Sequence, residues 1–398
     1  MAQNNAGQTI LSNNVNIDTD NFSYDAGGRS RISQITTLLD GKILGEDDLT
    51  LFENVGSGTP VYTNNKLDMP VTSGQYIVRQ SKRFNPYFSG KGQLVECTFD
   101  NFQTEANTTK RVGYFSSNAV APYNSNLDGF FIENDNGVFK LKAYRNGTLT
   151  IDVDFTAMDN YDAISSYDWS MFTVIAFDFL WLGGAVLRFF VKTQTGFDLI
   201  HTVNYSGTST DVFILSPNQP IRYEIRSTTG VGSLRYICSQ VATEGSINEG
   251  GKTLSLYNPT SITCNAVGTI YALKSVKKQT AFRDIAVQIL DISVGITATT
   301  DSGILMLIVN PTLSAPIVYT NKSKIQEGTA TNQTITSNTG RVVCAVPINV
   351  AGSTDIIKEN FLSFLSSSIN NTMDEYVLAY MPTTNNQTVS GVQTIKEY

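Results

Sequence analysis

The stretch FTVIAFDFLWLGGAVLRFFV, Phe172 to Val191, decides how the rest of the chain is read. It is the most apolar window of the sequence, and it holds one Asp, one Arg and two adjacent glycines. A membrane-spanning helix needs about twenty apolar residues, so length alone permits a span. Three features oppose it. Asp178 and Arg188 would each cost about 2.5–3.5 kcal/mol near a bilayer centre. Gly183 and Gly184 sit mid-window, where each costs about 1 kcal/mol relative to Ala in a helix interior. Phe, Val, Ile and Trp, which dominate the window, favour strands. Divided at the glycines, the window gives two strand-length runs, FTVIAFDFLWL and AVLRFFVKT. Apolar runs joined by Gly-Gly signal a hairpin, because glycine supplies the positive φ of a tight turn.

Strand periodicity puts Thr173, Ile175, Phe177, Phe179 and Trp181 on one face, and Val174, Ala176, Asp178 and Leu180 on the other. Both faces are largely apolar, so the strand is expected inside a sandwich and not at its edge. Asp178 and Arg188 flank the turn and are expected to pair across neighbouring strands. On strands this apolar an unpaired charge would be costly.

The same texture runs through most of the chain: short strand-like runs separated by Gly, Asn, Asp and Pro. Between Gly74 and Thr243 these are QYIVRQS, GQLVECTFDNF, TKRVGYFS, DGFFIEND, VFKLKAYRNG, the opening hairpin, DLIHTVNYS, IRYEIRST and SLRYICSQVA. Asp135-Asn136-Gly137 and Arg145-Asn146-Gly147 are hairpin-turn candidates. Strands at such spacing predict an all-β fold, a jelly-roll-like antiparallel β-sandwich. Beyond the polar stretch EGSINEGGKT (Glu244 to Thr253), further strand-like runs predict a second, smaller all-β domain. The expected organisation is an extended N-terminal arm at 1–40, a sandwich at 41–248 and a C-terminal β domain at 249–398. Only SRISQITTLLDGKIL (Ser30 to Leu44) and DIIKENFLSFLSSSI (Asp355 to Ile369) invite a helical reading.

Composition narrows the function. The formal net charge of −7 and a charged fraction of 16% argue against binding a nucleic-acid backbone. The one tight basic cluster, Lys274 with Lys277 and Lys278, reads as a solvated strand end. The opening MAQNNAGQTILSNN has no basic start followed by an apolar core, so a secretory signal is not expected. Cys97, Cys238, Cys264 and Cys344 are far apart and read as buried thiols, neither a disulfide frame nor a zinc site. The N-x-S/T sequons, for example at Asn107, Asn146, Asn332 and Asn386, follow from the richness in Asn and Thr. Phosphate-binding glycine loops and a G-x-S-x-G elbow are absent from the sequence.

His201, the single histidine, reads as a half-buried strand residue. The acidic run Asp152, Asp154, Asp159, Asp162 and Asp168 offers oxygen ligands for Ca²⁺, but lacks EF-hand spacing. Asp152 and Asp154 alternate with Ile151, Val153 and Phe155, which places them on the wet face of a strand. No catalytic, cofactor-binding or metal site is expected, and no cofactor.

The residues quoted so far carry a resemblance. YIVRQSKRFNPYFSGKGQLVECTF, KRVGYFSSN, DGFFIENDNG, Asp168-Trp169, FDFLWLGGAVLRFFV, LIHTVNYS, QPIRYEIRST and LRYICSQVATEG occur in an order that resembles uncharacterised structural proteins of tailed-bacteriophage virions. The likeness covers residues 30 to 250 well and the C-terminal part more weakly. The family's turn reads G-x-G where this chain has Leu182-Gly183-Gly184-Ala185. The Asn-rich, weakly charged composition suits a phage of the crAss-like group. The resemblance implies a non-enzymatic virion component assembled in the host cytoplasm, such as a capsid-attached head fibre or decoration protein anchored by its arm. It would be a homo-oligomer, a trimer by preference, and contact other capsid or tail proteins, with no membrane insertion. The alternative is a tail-associated, receptor-binding adhesin for a host surface glycan. A glycan depolymerase is a third reading, but no carboxylate pair stands out for it.

Overall fold

The computed structural model describes residues 26, 34–117, 126–181, 186–194, 196–246, 250–258, 260–296, 302–348, 352–355 and 363–398. The arm expected at 1–40 lies mostly outside these residues. The chain divides into two compact units, Met1–Glu249 and Gly250–Tyr398.

The first unit is built from fifteen strands among the described residues: β1 (Ile35–Lys42), β2 (Phe52–Gly56), β3 (Val61–Thr63), β4 (Lys66–Val71) and β5 (Tyr76–Ser81). Then come β6 (Gln93–Asp100), β7 (Thr108–Ser116), β8 (Asp128–Asp135), β9 (Val138–Arg145) and β10 (Thr148–Asp154). The last five are β11 (Thr173–Leu180), β12 (Val186–Lys192), β13 (Phe197–Asn204), β14 (Ile221–Ser227) and β15 (Gly232–Glu244). They form two antiparallel sheets, which makes the unit all-β with jelly-roll-like layering. One sheet runs β13-β12-β11-β6-β15-β4-β3, with β1 also pairing β15; the other runs β10-β9-β8-β7-β14-β5-β2.

The opening window is the β11–β12 hairpin, and β11 lies inside its sheet between β12 and β6. The proposed Gly183-Gly184 turn lies outside the described residues. Ile175, Phe177 and Phe179 are fully buried. Their rings meet those of the opposite sheet: Phe177 and Phe179 each lie 5.1 Å from Phe130, and Phe179 lies 5.7 Å from Tyr114. Each such side chain contributes roughly 1.5–3 kcal/mol by leaving water. The other face of the hairpin is buried as well, with Ala176, Phe190 and Leu94 in a satellite cluster. Asp178 stands directly opposite Arg188 in the register, and the two form a buried ion pair.

Charged residues elsewhere in this unit are held by the same logic. Arg79 is fully buried between the rings of Phe52 and Tyr236, 4.4 and 4.3 Å from their centroids, and is neutralised by Asp47 at 2.8 Å. On β7, β8 and β14, core residues such as Val112, Ile132 and Tyr223 alternate with Arg111, Glu133 and Glu224. Arg111 joins Glu133 at 2.6 Å and Glu224 at 3.1 Å, while Arg222 joins Glu224 at 2.9 Å. Each of these buried charges thus has an opposite charge beside it, as burial requires.

Both predicted Asn-Gly turns are present. Asn136 and Gly137 have φ of 50° and 96°, and Asn146 and Gly147 have 45° and 84°, the double positive φ of the tight hairpin turn. Asparagine tolerates this region better than other side-chain-bearing residues, and among the described residues ten of the eleven non-glycine positions with positive φ are Asn. Three of the sequon asparagines named above, Asn107, Asn146 and Asn386, are among them. The asparagine richness therefore has a conformational cause in the turns.

The second unit holds two further antiparallel sheets. One contains Lys252–Tyr257, Gln387–Glu397, Val287–Ile296 and Gly352–Asp355 in that order; the other is centred on Ile270–Lys278, Tyr376–Pro382 and Gly303–Val309. Leu273, Ile289, Leu305, Leu307, Leu378 and Ile395 are fully buried in its core.

Two readings need correction. Ser30–Leu44 is not helical where described: Ile35–Lys42 is a strand, because pairing with β15 satisfies its backbone and buries Leu38 and Leu39. In the other helix candidate, residues 356–362 lie outside the described residues, and Ser363–Phe364 is a short strand. The lysine cluster is not a solvated strand end. Lys274 is 1% exposed and held by Glu327 at 2.5 Å and by the Tyr257 carbonyl at 3.0 Å. Lys278, also 1% exposed, donates to the Arg283 carbonyl, and burial with the nearby Arg283 charge lowers its pKa to about 7. A register shift between Ala272 and Lys274 interrupts the alternation of this strand. All four cysteines are free; Cys97 and Cys264 are buried, with burial raising each thiol to about 12, while Cys238 and Cys344 are half-buried. Among the described residues no helix is long and apolar enough to cross a membrane.

Candidate functional site

The connection from β10 to β11, residues 155–172, is eighteen residues long and carries two short 3-10 turns, Phe155–Ala157 and Tyr161–Ala163. A connection of this length without regular structure is a common place for function. Its sequence, FTAMDNYDAISSYDWSMF, loses the strand alternation and gains local hydrogen bonds instead. The Met158 amide donates to the Phe155 carbonyl (3.1 Å), Ile164 to Tyr161 (2.9 Å) and Tyr167 to Ile164 (3.0 Å). Phe155, Met158, Ile164 and Trp169 are buried and tie the loop to the sandwich. The Trp169 carbonyl accepts from the Phe102 amide (2.8 Å), and the Ile200 carbonyl accepts from the Asn160 amide (3.0 Å). The loop is thus a fixed surface.

Two hollows flank it, and Tyr167 lines both. The first has a volume of about 380 Å³. Phe139, Phe155 and Trp169 form its apolar lining with Tyr161 and Tyr167, both half-buried, and Asp154, Thr156 and Ser165 add polar groups. The rings hold one another: Trp169 lies 4.9 Å from Tyr167, 5.4 Å from Phe155 and 5.6 Å from Phe139. The Tyr167 hydroxyl donates to the Lys192 carbonyl at 3.2 Å, and partial burial raises its pKa. The second hollow, of about 880 Å³, is lined by exposed Met171 and Phe172 together with Asp168, Lys192, Gln194 and Asp198. The Ser170 hydroxyl and amide both donate to Asp168 (2.6 and 2.9 Å) and hold its carboxyl below the usual range.

The acidic run is dispersed. Asp152 and Asp154 are exposed and share Lys140, at 3.2 and 3.4 Å, and this contact, chiefly with Asp152, raises the Lys140 pKa. Asp159 meets His201 Nδ1 at 2.9 Å and accepts from the Thr202 amide at 3.1 Å. His201 is half-buried on β13, and its contact with Asp159 pins the loop to that strand. Among the described residues no three His, Cys, Asp or Glu side chains come together as metal ligands.

Sequence reasoning singled out this segment for its carboxylates and missed the convergence of Tyr161, Tyr167 and Trp169. The signal lay in the loss of strand period within a Tyr-, Ser- and Trp-bearing stretch. Such an arrangement offers flat rings for apolar contact beside hydroxyls and carboxylates for hydrogen bonds. These are the elements of a small-ligand cleft.

No family model matches the chain, and neither does any curated protein. Among solved structures it is similar to the Emp47p carbohydrate recognition domain, at 12% identity over 55% of this chain and 100% of that one, with a TM-score of 0.36. It is also similar to a Bacillus licheniformis β-glucanase, at 12% identity over 54% and 98%, with a TM-score of 0.33. Arcelin-5, a lectin-like defence protein from Phaseolus vulgaris, matches at 8% identity over 53% and 99%, with a TM-score of 0.35. At these scores the likeness bears on neither architecture nor activity, and the sandwich stands on its own paired strands.

Proposed function

We propose that this chain is a non-enzymatic glycan-binding protein, carried on the surface of a tailed-phage particle as an adhesin. The observation that carries the binding role is the fixed aromatic cleft around Tyr161, Tyr167 and Trp169, with Asp154, Thr156 and Ser165 at its side. Sugar rings present a C–H face that packs on an aromatic ring and hydroxyls that bond to carboxylates and side-chain hydroxyls. The Tyr167 and Trp169 rings are held by their neighbours, so little of their side-chain entropy is lost on binding.

A glycan array followed by titration calorimetry tests this. Tyr161→Ala and Tyr167→Ala should each weaken binding about tenfold or more, at roughly 1–2 kcal/mol for a lost aromatic contact, with the fold retained. Tyr167→Ala should also melt somewhat lower, because it gives up its contacts to Trp169 and the Lys192 carbonyl. Binding that survives both substitutions would place the site elsewhere. The non-enzymatic part fails if the purified protein shortens a polysaccharide that it binds.

The virion setting rests on the resemblance over residues 30 to 250. It also supports a second reading, a head fibre or decoration protein whose N-terminal arm is the anchor and which assembles as a trimer. Because β1 begins at Ile35 and pairs with β15, a truncation meant to remove only the arm should end before it, at residue 33.

A further inference from the structure

The two hollows beside Tyr167 differ in chemistry, and the difference bears on the kind of glycan that fits. The first is mostly aromatic. The second is larger, has two exposed apolar side chains, Met171 and Phe172, and has Asp168 and Asp198 on its wall. Volumes of about 380 and 880 Å³ lie within the roughly 300–1,000 Å³ range of a drug-sized ligand site, so each hollow can hold a ligand by itself. Across both, the charged side chains of the lining are Asp154, Asp168 and Asp198 against Lys192. Lys140 lies 3.4 Å from Asp154 and offsets it, so the surplus negative charge sits in the second hollow, with Asp168 and Asp198 against Lys192. Asp168 is kept ionised by its two bonds from Ser170. Within about 8 Å, the screening length at physiological salt, such a lining repels carboxylate and sulfate groups.

We propose that the site takes an uncharged oligosaccharide chain that spans both hollows across Tyr167, and that it discriminates against uronic-acid and sulfated glycans. This rests on the glycan-binding reading above and names the substrate class for it. Tyr167 then contacts the chain from both sides, while Phe172 supplies the stacking surface of the second hollow. Spanning matters energetically because a second subsite adds contact area without a second loss of translational freedom.

The experiment is calorimetry of the full-length protein against neutral glucose- and galactose-based oligosaccharides of one to six units, and against uronic-acid and sulfated chains of matched length. Affinity should rise at least tenfold from the monosaccharide to the longer neutral chains and change little between 50 and 300 mM salt. Phe172→Ala should remove most of that gain and bring the affinity for the longer chains close to that for the monosaccharide; Phe172 is 58% exposed, so folding should not depend on it. Asp198→Asn should raise the affinity for the acidic chains. Equal affinity for short and long neutral chains would overturn the spanning, and preference for acidic chains would overturn the charge selection. Either result would leave glycan binding itself intact. Failure to bind any neutral or acidic glycan would overturn the glycan-binding reading together with this inference.

Discussion

Asp178 shows how a single charge is accommodated within an apolar hairpin. Its side chain is fully buried and Arg188 is 10% exposed, so neither is well solvated. Their direct opposition across β11 and β12 is what makes both tolerable. Removing one partner leaves the other charge buried, whereas removing both replaces a polar pair with apolar packing. Asp178→Ala should therefore lower unfolding free energy by about 3–5 kcal/mol, while Asp178→Leu with Arg188→Leu should recover most of the loss. Urea denaturation of the three proteins checks this. A double variant no more stable than the single one would show that Arg188 has adequate support elsewhere. Here sequence and structure agree because strand period and turn position together fix which residues face each other. Lys274 and Lys278 were misread because the groups that hold them, the Glu327 carboxylate and the Arg283 carbonyl, come from other segments and leave no mark in composition.

At the level of elements, hairpin turns were the most legible feature. Asn136-Gly137 and Asn146-Gly147 need a left-handed backbone at two successive positions, and few residue pairs supply it. Asn146→Val would force a β-branched side chain into that region at a cost of roughly 1–3 kcal/mol, whereas Asn146→Gly should be nearly neutral. Thermal melting separates the two, and equal losses would mean that the Asn146 side chain matters beyond its φ. Strand existence was legible for a similar reason, since apolar residues at every second position have few other uses. The β10–β11 loop was not. Its aromatic residues converge through 3-10 turns and through contacts to Phe102, Phe139 and β13, which are distant in sequence and follow no local period. The first helix candidate failed because Ser30–Leu44 has helix-compatible spacing, but the edge of β15 offers it backbone partners.

At the level of the molecule, two units with separate cores predict two unfolding events. Lys278 provides a way to tell them apart. Its folded pKa is about 7, below the ordinary 10.5. Between those values the unfolded chain still holds the proton that the folded one has released. Stability of Gly250–Tyr398 should therefore rise with pH from about 7 upward, and the charge penalty should be fully present below that. Calorimetric scans between pH 6.5 and 9 should show one transition moving upward relative to the other, and Lys278→Met should abolish the movement. A single transition that ignores pH in both proteins would contradict separate unfolding and the burial of this ammonium alike.

The β15 strand has a consequence for the order in which the chain is made. It is thirteen residues long and pairs with β6 along one side and with β4 and β1 along the other. The Thr36 hydroxyl, at the far end of that arrangement, donates to the Gly245 carbonyl across 209 positions of sequence. Strands emerging from the ribosome early must therefore wait, unpaired on one edge, until almost the whole first unit has been synthesised. At ~5–20 residues per second that delay is on the order of ten seconds or more. Pairings this remote also slow refolding and leave open edges exposed to other nascent copies. The sandwich is thus locked by its last strand, and its assembly depends on timing as much as on packing.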